Sequence, residues 1–153
     1  SKIGAAGEKL RLINPNLRYK GVCSKFTEKE ARSILPGCNA VIDALDNVPD
    51  RLLLSALCRK MQIPLVHGAV EGWMGQLTTQ FPGDEVIEKI YANSRDYART
   101  VSTLVAAPAV VASLQVAEVL KILLGRGGLM RNKIMLINLL DMDIDTIEIL
   151  NER

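Results

Sequence analysis

The residues best suited to chemistry are Asp46 and Asn47, which follow a short apolar run at residues 40–42. Such a run is typical of a buried parallel strand, and ligands of open α/β sheets bind at the carboxyl ends of the strands. An acid at that edge can hold Mg²⁺ beside a nucleotide phosphate, because Mg²⁺ prefers a few carboxylates together with phosphate oxygens. The alternative is that Asp46 only caps the following helix, and the local pattern does not decide between the two.

The glycines offer weaker signals for phosphate binding. Residues 125–128 (Gly-Arg-Gly-Gly) look like a phosphate cradle, but they follow a predicted helix instead of preceding one. No positive helix end would then face an anion, so we interpret Gly125 as a helix stop. Gly68, Gly72 and Gly75 do not have the spacing of a dinucleotide fingerprint.

The single histidine and the three cysteines do not form a recognisable catalytic or zinc site. His67 lies inside an apolar run, which favours a packed or hydrogen-bonded histidine over a catalytic one. Cys23, Cys38 and Cys58 are odd in number and contain no CxxC pair, so we expect reduced thiols, small and buried, and no zinc.

The elements that must position Asp46 alternate between helix and strand, which favours a parallel sheet covered by helices. A capping box at Thr27 and an N-cap at Asn47, followed by Pro49 and Asp50, mark two helix starts. Helices are predicted at 2–13, from 27 to the Pro-Gly pair at 36–37, at 47–61 and at 108–124, and strands at 17–22, 40–42, 64–70, 76–81, 133–140 and 144–150. The fold class is thus α/β: a Rossmann-like, mostly parallel sheet with helices on both faces and a C-terminal antiparallel hairpin.

Two stretches of the second half carry specific expectations. Residues 82–103 are polar and poorly periodic, which predicts a long, mobile loop with room for one helical turn. The helix at 108–124 is predicted to pack through a broad apolar face and to turn a polar face outward. The apolar face comprises Val110, Val111, Leu114, Ala117 and Leu120, and the polar face Gln115, Glu118 and Lys121.

Composition limits the class of protein. The chain has 153 residues, 48% hydrophobic and 24% charged, with a formal net charge of +2, as expected of a single globular domain spanning 1–153. Scattered basic residues and 4% aromatic content give no support to nucleic-acid binding. No apolar run reaches the roughly 20 residues of a membrane span, and the N-terminus lacks the core of a signal peptide. We expect a cytoplasmic protein without a membrane partner.

The order of several short motifs carries a family resemblance. They are Ser1-Lys2 before an Ala-containing helix, Asn14-Pro15, Asp43-Ala44-Leu45-Asp46-Asn47, Arg51, the stretch at 64–76 (PLVHGAVEGWMGQ) and the stretch at 112–121 (ASLQVAEVLK). Together these residues resemble the E1-like adenylating enzymes, the ThiF/MoeB/HesA group that activates ubiquitin-like sulfur-carrier proteins of molybdopterin or thiamine biosynthesis. The resemblance spans nearly the whole chain.

The resemblance implies an ATP-dependent adenylyltransferase. The carboxylate at the carrier's C-terminus would attack the α-phosphate of ATP, pyrophosphate would leave, and an acyl-adenylate would remain. Asp46 would be the catalytic acid on the Mg²⁺ and phosphate side, Asn47 its partner in the family's Asp-Asn pair, and Lys2 the lysine that reaches the phosphates. Arg51 would order the helix and its loop. A homodimer is expected.

Three departures from the family pattern qualify this expectation. The family's glycine-rich phosphate loop and its ribose-binding acid precede the lysine matched by Lys2, so the chain resembles the C-terminal part of a longer enzyme and alone would be inactive. Residues 82–103 contain no cysteine, which thioester- or persulfide-forming members carry there, and the paired CxxC zinc motifs are absent. Two alternatives remain open: a non-catalytic partner-binding or assembly module, and a relative that adenylates a small-molecule or tRNA-bound carboxylate.

Overall fold

The structure is a computed structural model that describes residues 1–92 and 104–149. Five helices and five strands lie in these ranges. In chain order they are α1 (Lys2–Ile13), α2 (Glu28–Ile34), β1 (Val41–Asp43), α3 (Val48–Lys60), β2 (Leu65–Glu71), β3 (Met74–Gln80), α4 (Val86–Tyr91), α5 (Ala106–Leu124), β4 (Lys133–Asn138) and β5 (Asp143–Glu148).

The strands form one mixed sheet in the order β1-β2-β3-β4-β5. β1 and β2 are parallel, with Asp43 opposite His67, whereas the three following pairs are antiparallel. The expectation of a mostly parallel sheet is therefore corrected. Only Gly72 and Trp73 separate β2 from β3, and a parallel crossover needs a dozen or more residues. The α/β class and the C-terminal hairpin of β4 and β5 are confirmed.

Helices cover both faces of the sheet, as predicted. On one face, Leu65 of β2 packs in an apolar cluster with Leu54 and Leu57 of α3 and Ile87 of α4. α5 packs on the other face. Because neighbouring residues of a strand point to opposite faces, Gly68 of β2 lies beneath α5.

Two glycines of the sheet allow α5 to pack closely against it. A Cβ atom added to Gly68 would lie 2.7 Å from Cγ1 of Val111, and one added to Gly75 would lie 2.6 Å from its Cγ2. Any side chain at either position would have to displace the helix. The two residues therefore serve packing, consistent with their failure to fit a nucleotide fingerprint.

The orientation of α5 corrects the sequence prediction. Gln115 and Glu118 are buried against the sheet, although they were expected on the outward face, and Leu120, expected inward, is 51% exposed. The large apolar side chains that point outward are Val116, Leu120, Leu123 and Leu124.

Hydrogen bonds to the sheet explain this orientation of α5. The Gln115 amide donates to the carbonyl oxygens of Asp43, at 2.8 Å, and Val66, at 3.2 Å. Glu118 accepts from the Thr79 hydroxyl at 2.6 Å and from the Met130 amide at 2.9 Å. Buried polar groups are tolerated when they are paired in this way.

By length and composition alone, α5 could cross a bilayer, and it is the one such helix in the described part of the chain. The core helix of a folded domain can meet the same criterion. The sheet contacts of Gln115 and Glu118 place α5 within the fold.

The first part of the chain departs from prediction at one segment. Helix α1 has the predicted bounds, but residues 17–22 do not form a strand. The Tyr19 hydroxyl donates to the Ile3 carbonyl of α1 at 3.0 Å, the Leu17 amide donates to the Asn14 carbonyl, and the Tyr19 amide donates to the Leu17 carbonyl. Since a strand requires a paired neighbour, an apolar pattern alone does not create one.

The predicted helix ends are confirmed. The Thr27 side chain accepts from the Glu30 amide, Asn47 begins α3, and Gly125 ends α5 with φ of +60°. The interpretation of Gly125 as a helix stop therefore holds. Within the predicted loop at 82–103, the structure contains α4, and residues 93–103 lie outside the described ranges.

The cysteines are only partly as expected. Cys58 is buried in the apolar cluster, whereas Cys23 and Cys38 are exposed. Burial raises the pKa of the Cys58 thiol to about 12, which keeps it protonated and unreactive.

Candidate functional site

Asp46 lies in the turn between β1 and α3 with an exposed carboxylate. The helix is capped by its neighbour: the Asn47 side-chain oxygen accepts from the Asp50 amide at 2.9 Å. Asn47 Nδ2 also donates to the carboxylates of Asp46, at 3.2 Å, and Asp50, at 2.8 Å. The capping alternative for Asp46 is thus wrong, and Asn47 orients the Asp46 carboxylate while it caps the helix.

Both backbone groups of Leu45, the residue before Asp46, are held by side chains. Its amide donates to Oδ1 of Asp43 at 2.9 Å, and its carbonyl oxygen accepts from Nη2 of Arg51. Arg51 is only 8% exposed and also donates to the Gly68 carbonyl at 3.3 Å. The expectation that Arg51 orders the helix and its loop is confirmed, since it ties the turn to β2.

Behind the turn lies a buried polar network that includes the single histidine. His67 Nδ1 is 2.6 Å from Oδ2 of Asp43, and its Nε2 is 3.1 Å from the Tyr91 hydroxyl. Because a carboxylate only accepts, Nδ1 carries the proton and Nε2 accepts. The interpretation of His67 as a hydrogen-bonded histidine is confirmed.

Burial determines the charge state of this network. Desolvation lowers the pKa of His67 below its usual value, against the opposing hydrogen bond and charge of Asp43, and the Arg51 charge lowers it further. Desolvation also raises the pKa of Tyr91, despite its contact with Arg51. At neutral pH, His67 is neutral and Tyr91 is protonated. The guanidinium of Arg51, 4.0 Å from Asp43, compensates the carboxylate.

A pocket of about 200 Å³ opens beside the turn, at the carboxyl ends of β1 and β2. Its walls include Ala44 and Leu45 on the sheet side and Pro108 and Ala112 of α5. Pockets for drug-sized ligands usually measure about 300–1,000 Å³, so this one would enclose part of a nucleotide. Its place fits the rule that ligands of α/β sheets bind at this edge.

The predicted site residues are only partly brought together. Asp46 and Asn47 are in direct contact, whereas Lys2, exposed at the start of α1, makes no hydrogen bond or ion pair with any residue in the described ranges. Asn47 donates to one oxygen of the Asp46 carboxylate, and the other oxygen, which has no partner in the described ranges, is free to accept a cation.

Sequence reasoning did not identify Asp43 and Tyr91 as parts of the site. The pairing of β1 with β2 carried a usable signal for Asp43, since parallel strands in register put it beside His67. Tyr91 is 40 residues from Arg51 in the chain, and no local pattern links the two.

Comparisons with known proteins show the family of this chain. Residues 1–153 match the ThiF family. The chain is 28% identical over 151 residues to the SAMP-activating enzyme E1 of Haloferax volcanii, covering 95% of this chain and 56% of the relative. It is 25% identical over 153 residues to the molybdopterin-synthase adenylyltransferase of Haemophilus influenzae, covering 97% and 63%.

Solved structures share the fold. The crystal structure of E. coli MccB with ATP superposes with a TM-score of 0.76 at 16% identity, covering 97% of this chain and 48% of MccB. The crystal structure of selenomethionine-containing PaaA gives a TM-score of 0.74 at 13% identity, covering 98% of this chain and 55% of PaaA. The chain spans about half the length of the curated relatives it matches.

Proposed function

We propose, because this chain belongs to the ThiF family, that it forms the carboxyl-terminal portion of an ATP-dependent adenylyltransferase. Its substrate would be the C-terminal carboxylate of a ubiquitin-like sulfur-carrier protein. The names of two relatives, a SAMP-activating enzyme E1 and a molybdopterin-synthase adenylyltransferase, support this class of reaction. The observation that carries the proposal is the exposed Asp46 carboxylate, oriented by Asn47 at the carboxyl end of β1.

In the proposed reaction, a carrier carboxylate oxygen forms a bond to the α-phosphorus of ATP and the bond to pyrophosphate breaks. Such a displacement depends on positioning and on charge stabilisation. Asp46 would face the phosphates, Asn47 would hold Asp46 in place, and Lys2 would neutralise phosphate charge. Asp46 is the residue that would hold Mg²⁺, and the ion would supply positive charge to the phosphate oxygens.

We further propose a cytoplasmic homodimer. The outward side of α5 carries a row of large apolar side chains, Val116, Leu120, Leu123 and Leu124, all half exposed or more. Apolar rows of this kind mark interaction surfaces, and symmetric dimers are the commonest assemblies that cover them.

The decisive experiment is ATP–pyrophosphate exchange by the protein that contains this chain, with its carrier protein present. Asp46→Asn removes one charge and keeps the shape, so exchange should fall by at least about a hundredfold, the scale for losing one electrostatic contact to a transition state. Asp145→Asn makes the same change on β5, at a carboxylate that is also exposed, and should leave the rate unchanged. Normal exchange by Asp46→Asn would remove Asp46 from the site.

A further inference from the structure

We infer that Tyr91 is a positioning residue for Asp46, acting through Arg51 and the backbone of Leu45. The inference rests on the proposed function, because it gives Asp46 its role. It links the hydroxyl of Tyr91, the last residue of α4, to the turn between β1 and α3. Two hydrogen bonds and one peptide unit carry it, taken in order from Tyr91 to Asp46.

The first step is the Tyr91 hydroxyl, whose bonding capacity is fully used. It accepts from Arg51 Nη1 at 3.0 Å and from Gln76 Nε2 at 2.9 Å, and it donates to His67 Nε2 at 3.1 Å. A tyrosine hydroxyl has one donor and two acceptor positions. The hydroxyl therefore holds the Arg51 guanidinium from one side, while Gln76 Nε2, also 3.1 Å from His67 Nε2, shares the histidine acceptor with it.

The second step is Arg51 itself. Its Nη1 contacts Tyr91, and its Nη2 donates to the Leu45 carbonyl. The guanidinium is planar and rigid, so a displacement of Nη1 also displaces Nη2. The position of the Leu45 carbonyl consequently depends on the Tyr91 hydroxyl, together with the Gly68 carbonyl that Nη1 also contacts at 3.3 Å.

The third step runs along the backbone. The Leu45 carbonyl belongs to the same planar peptide unit as the Asp46 amide, so the bond from Arg51 sets the orientation of that peptide. The carboxylate of Asp43 holds the Leu45 amide from the other side. With both ends of Leu45 fixed, the Asp46 side chain starts from a defined backbone position.

The Tyr91 hydroxyl is not needed to hold α4 on the protein. The Ser55 hydroxyl donates to Glu88 at 2.7 Å, and the Ile87 amide donates to the Gln80 side chain at 3.0 Å. Val86 and Ile87 are fully buried. Removal of the hydroxyl should therefore loosen the turn and leave α4 docked.

The first test measures the turn directly, by NMR and amide hydrogen exchange. In Tyr91→Phe, the Asp46 amide resonance should shift and the Leu45 amide should exchange about tenfold faster, relative to the Leu57 amide inside α3, because local opening is governed by the bonds of that segment. Ser55→Ala is the matched control. It also removes a buried hydroxyl that contacts α4, yet it should leave Leu45 and Asp46 unchanged.

Three results would overturn the inference: no change at Leu45 and Asp46 in Tyr91→Phe, the same change in Ser55→Ala, or a Tyr91→Phe variant in which Leu57 exchanges faster to the same extent. The last result would show a merely structural role.

The second test uses ATP–pyrophosphate exchange. Tyr91→Phe should lower kcat about tenfold with the KM for ATP within about twofold, because a misplaced group loses stabilisation mainly in the transition state. A change in KM alone would overturn the positioning role. A wild-type protein without exchange would contradict the proposed function, while the NMR test would still decide whether Tyr91 positions the turn.

Discussion

The imidazole Nδ1 of His67 lies 2.6 Å from Oδ2 of Asp43, and both side chains are almost completely buried. The pair joins the last residue of β1 to the middle of β2 by a side-chain bond in addition to the ladder of the two parallel strands. Burial keeps the histidine neutral, so the pair acts as a hydrogen bond to a carboxylate and not as an ion pair. Its energetic contribution consequently depends on pH.

The pH dependence of stability follows from the lowered pKa of His67. The unfolded chain binds a proton at His67 near pH 6.5, whereas the folded protein binds it only at lower pH. The free energy of unfolding should therefore fall as pH decreases below about 6.5, by up to about 1.4 kcal/mol per pH unit. Urea denaturation at pH 7 and pH 5 checks this.

His67→Gln provides the control for the pH effect. His67 is the only histidine in the sequence, so the variant should lose most of the slope between pH 7 and pH 5, whatever its stability at pH 7. An unchanged slope would mean that other groups are responsible.

Substitutions of Asp46 and Asn47 should have different effects on the free energy of unfolding. Asn47→Ala removes the cap of α3 and should lower the free energy of unfolding by about 1 kcal/mol. Asp46→Ala should change it by less than about 0.5 kcal/mol, because the exposed carboxylate is not the cap. Thermal or urea unfolding would measure both, and equal losses would contradict the assignment of the cap.

The isolated chain should bind Mg-ATP weakly. Phosphate sites usually combine backbone amides of a glycine-rich loop with a helix N-terminus, and the 125–128 stretch instead ends α5. Lys2 and Asp46 alone should give a dissociation constant no better than roughly millimolar, near −4 kcal/mol. Isothermal titration would measure it. Micromolar binding would show that described residues already form a phosphate site.

Glu118 should stabilise the fold as a buried hydrogen-bond acceptor, which an exposed charged residue would not do. Glu118→Leu would leave the Thr79 hydroxyl and the Met130 amide without their acceptor, at a cost of about 1–3 kcal/mol. Ser113→Ala, on the exposed side of the same helix, should cost less than about 0.5 kcal/mol. Chemical denaturation of both variants would test this, and a neutral Glu118→Leu would contradict the inward orientation.

The outward side of α5 should control assembly. Wild-type protein should be a dimer at micromolar concentration, and Leu120→Lys should be a monomer, because a charge on an apolar contact is costly to bury. Ile144→Lys places the same charge on an exposed residue of β5 and should remain dimeric. Light scattering would distinguish these cases. A monomeric wild type, or a monomeric Ile144→Lys, would contradict the α5 interface.

Local signals predicted most of the elements and one half of the site. The Asn47 cap, the Thr27 cap and the glycine end of α5 were predicted correctly because each depends on residues within one helical turn. Asp46 and Asn47 are adjacent in the chain, so their proximity was guaranteed.

Long-range contacts account for what the sequence did not predict. The prediction of which side of α5 faces inward was wrong, because Gln115 and Glu118 form hydrogen bonds to sheet residues that are distant in sequence. A hydropathy pattern treats such side chains as outward-facing. The antiparallel pairing of β2 and β3 was recognisable from the five residues between the predicted strands at 64–70 and 76–81, since no crossover fits so short a connection.

The two glycines beneath α5 have a consequence for the rotational setting of that helix. The Val111 side chain packs into the space that the missing side chains of Gly68 and Gly75 leave on the sheet. Residues four and seven positions later share its side of the helix, so Gln115 and Glu118 are turned to the sheet by the same fit. Rotation by one residue would lift both from their partners and would put a bulkier stripe against the strands. Because Gly68 and Gly75 have no side chains, they determine which face of α5 packs on the sheet and which face stays exposed for contact with another molecule.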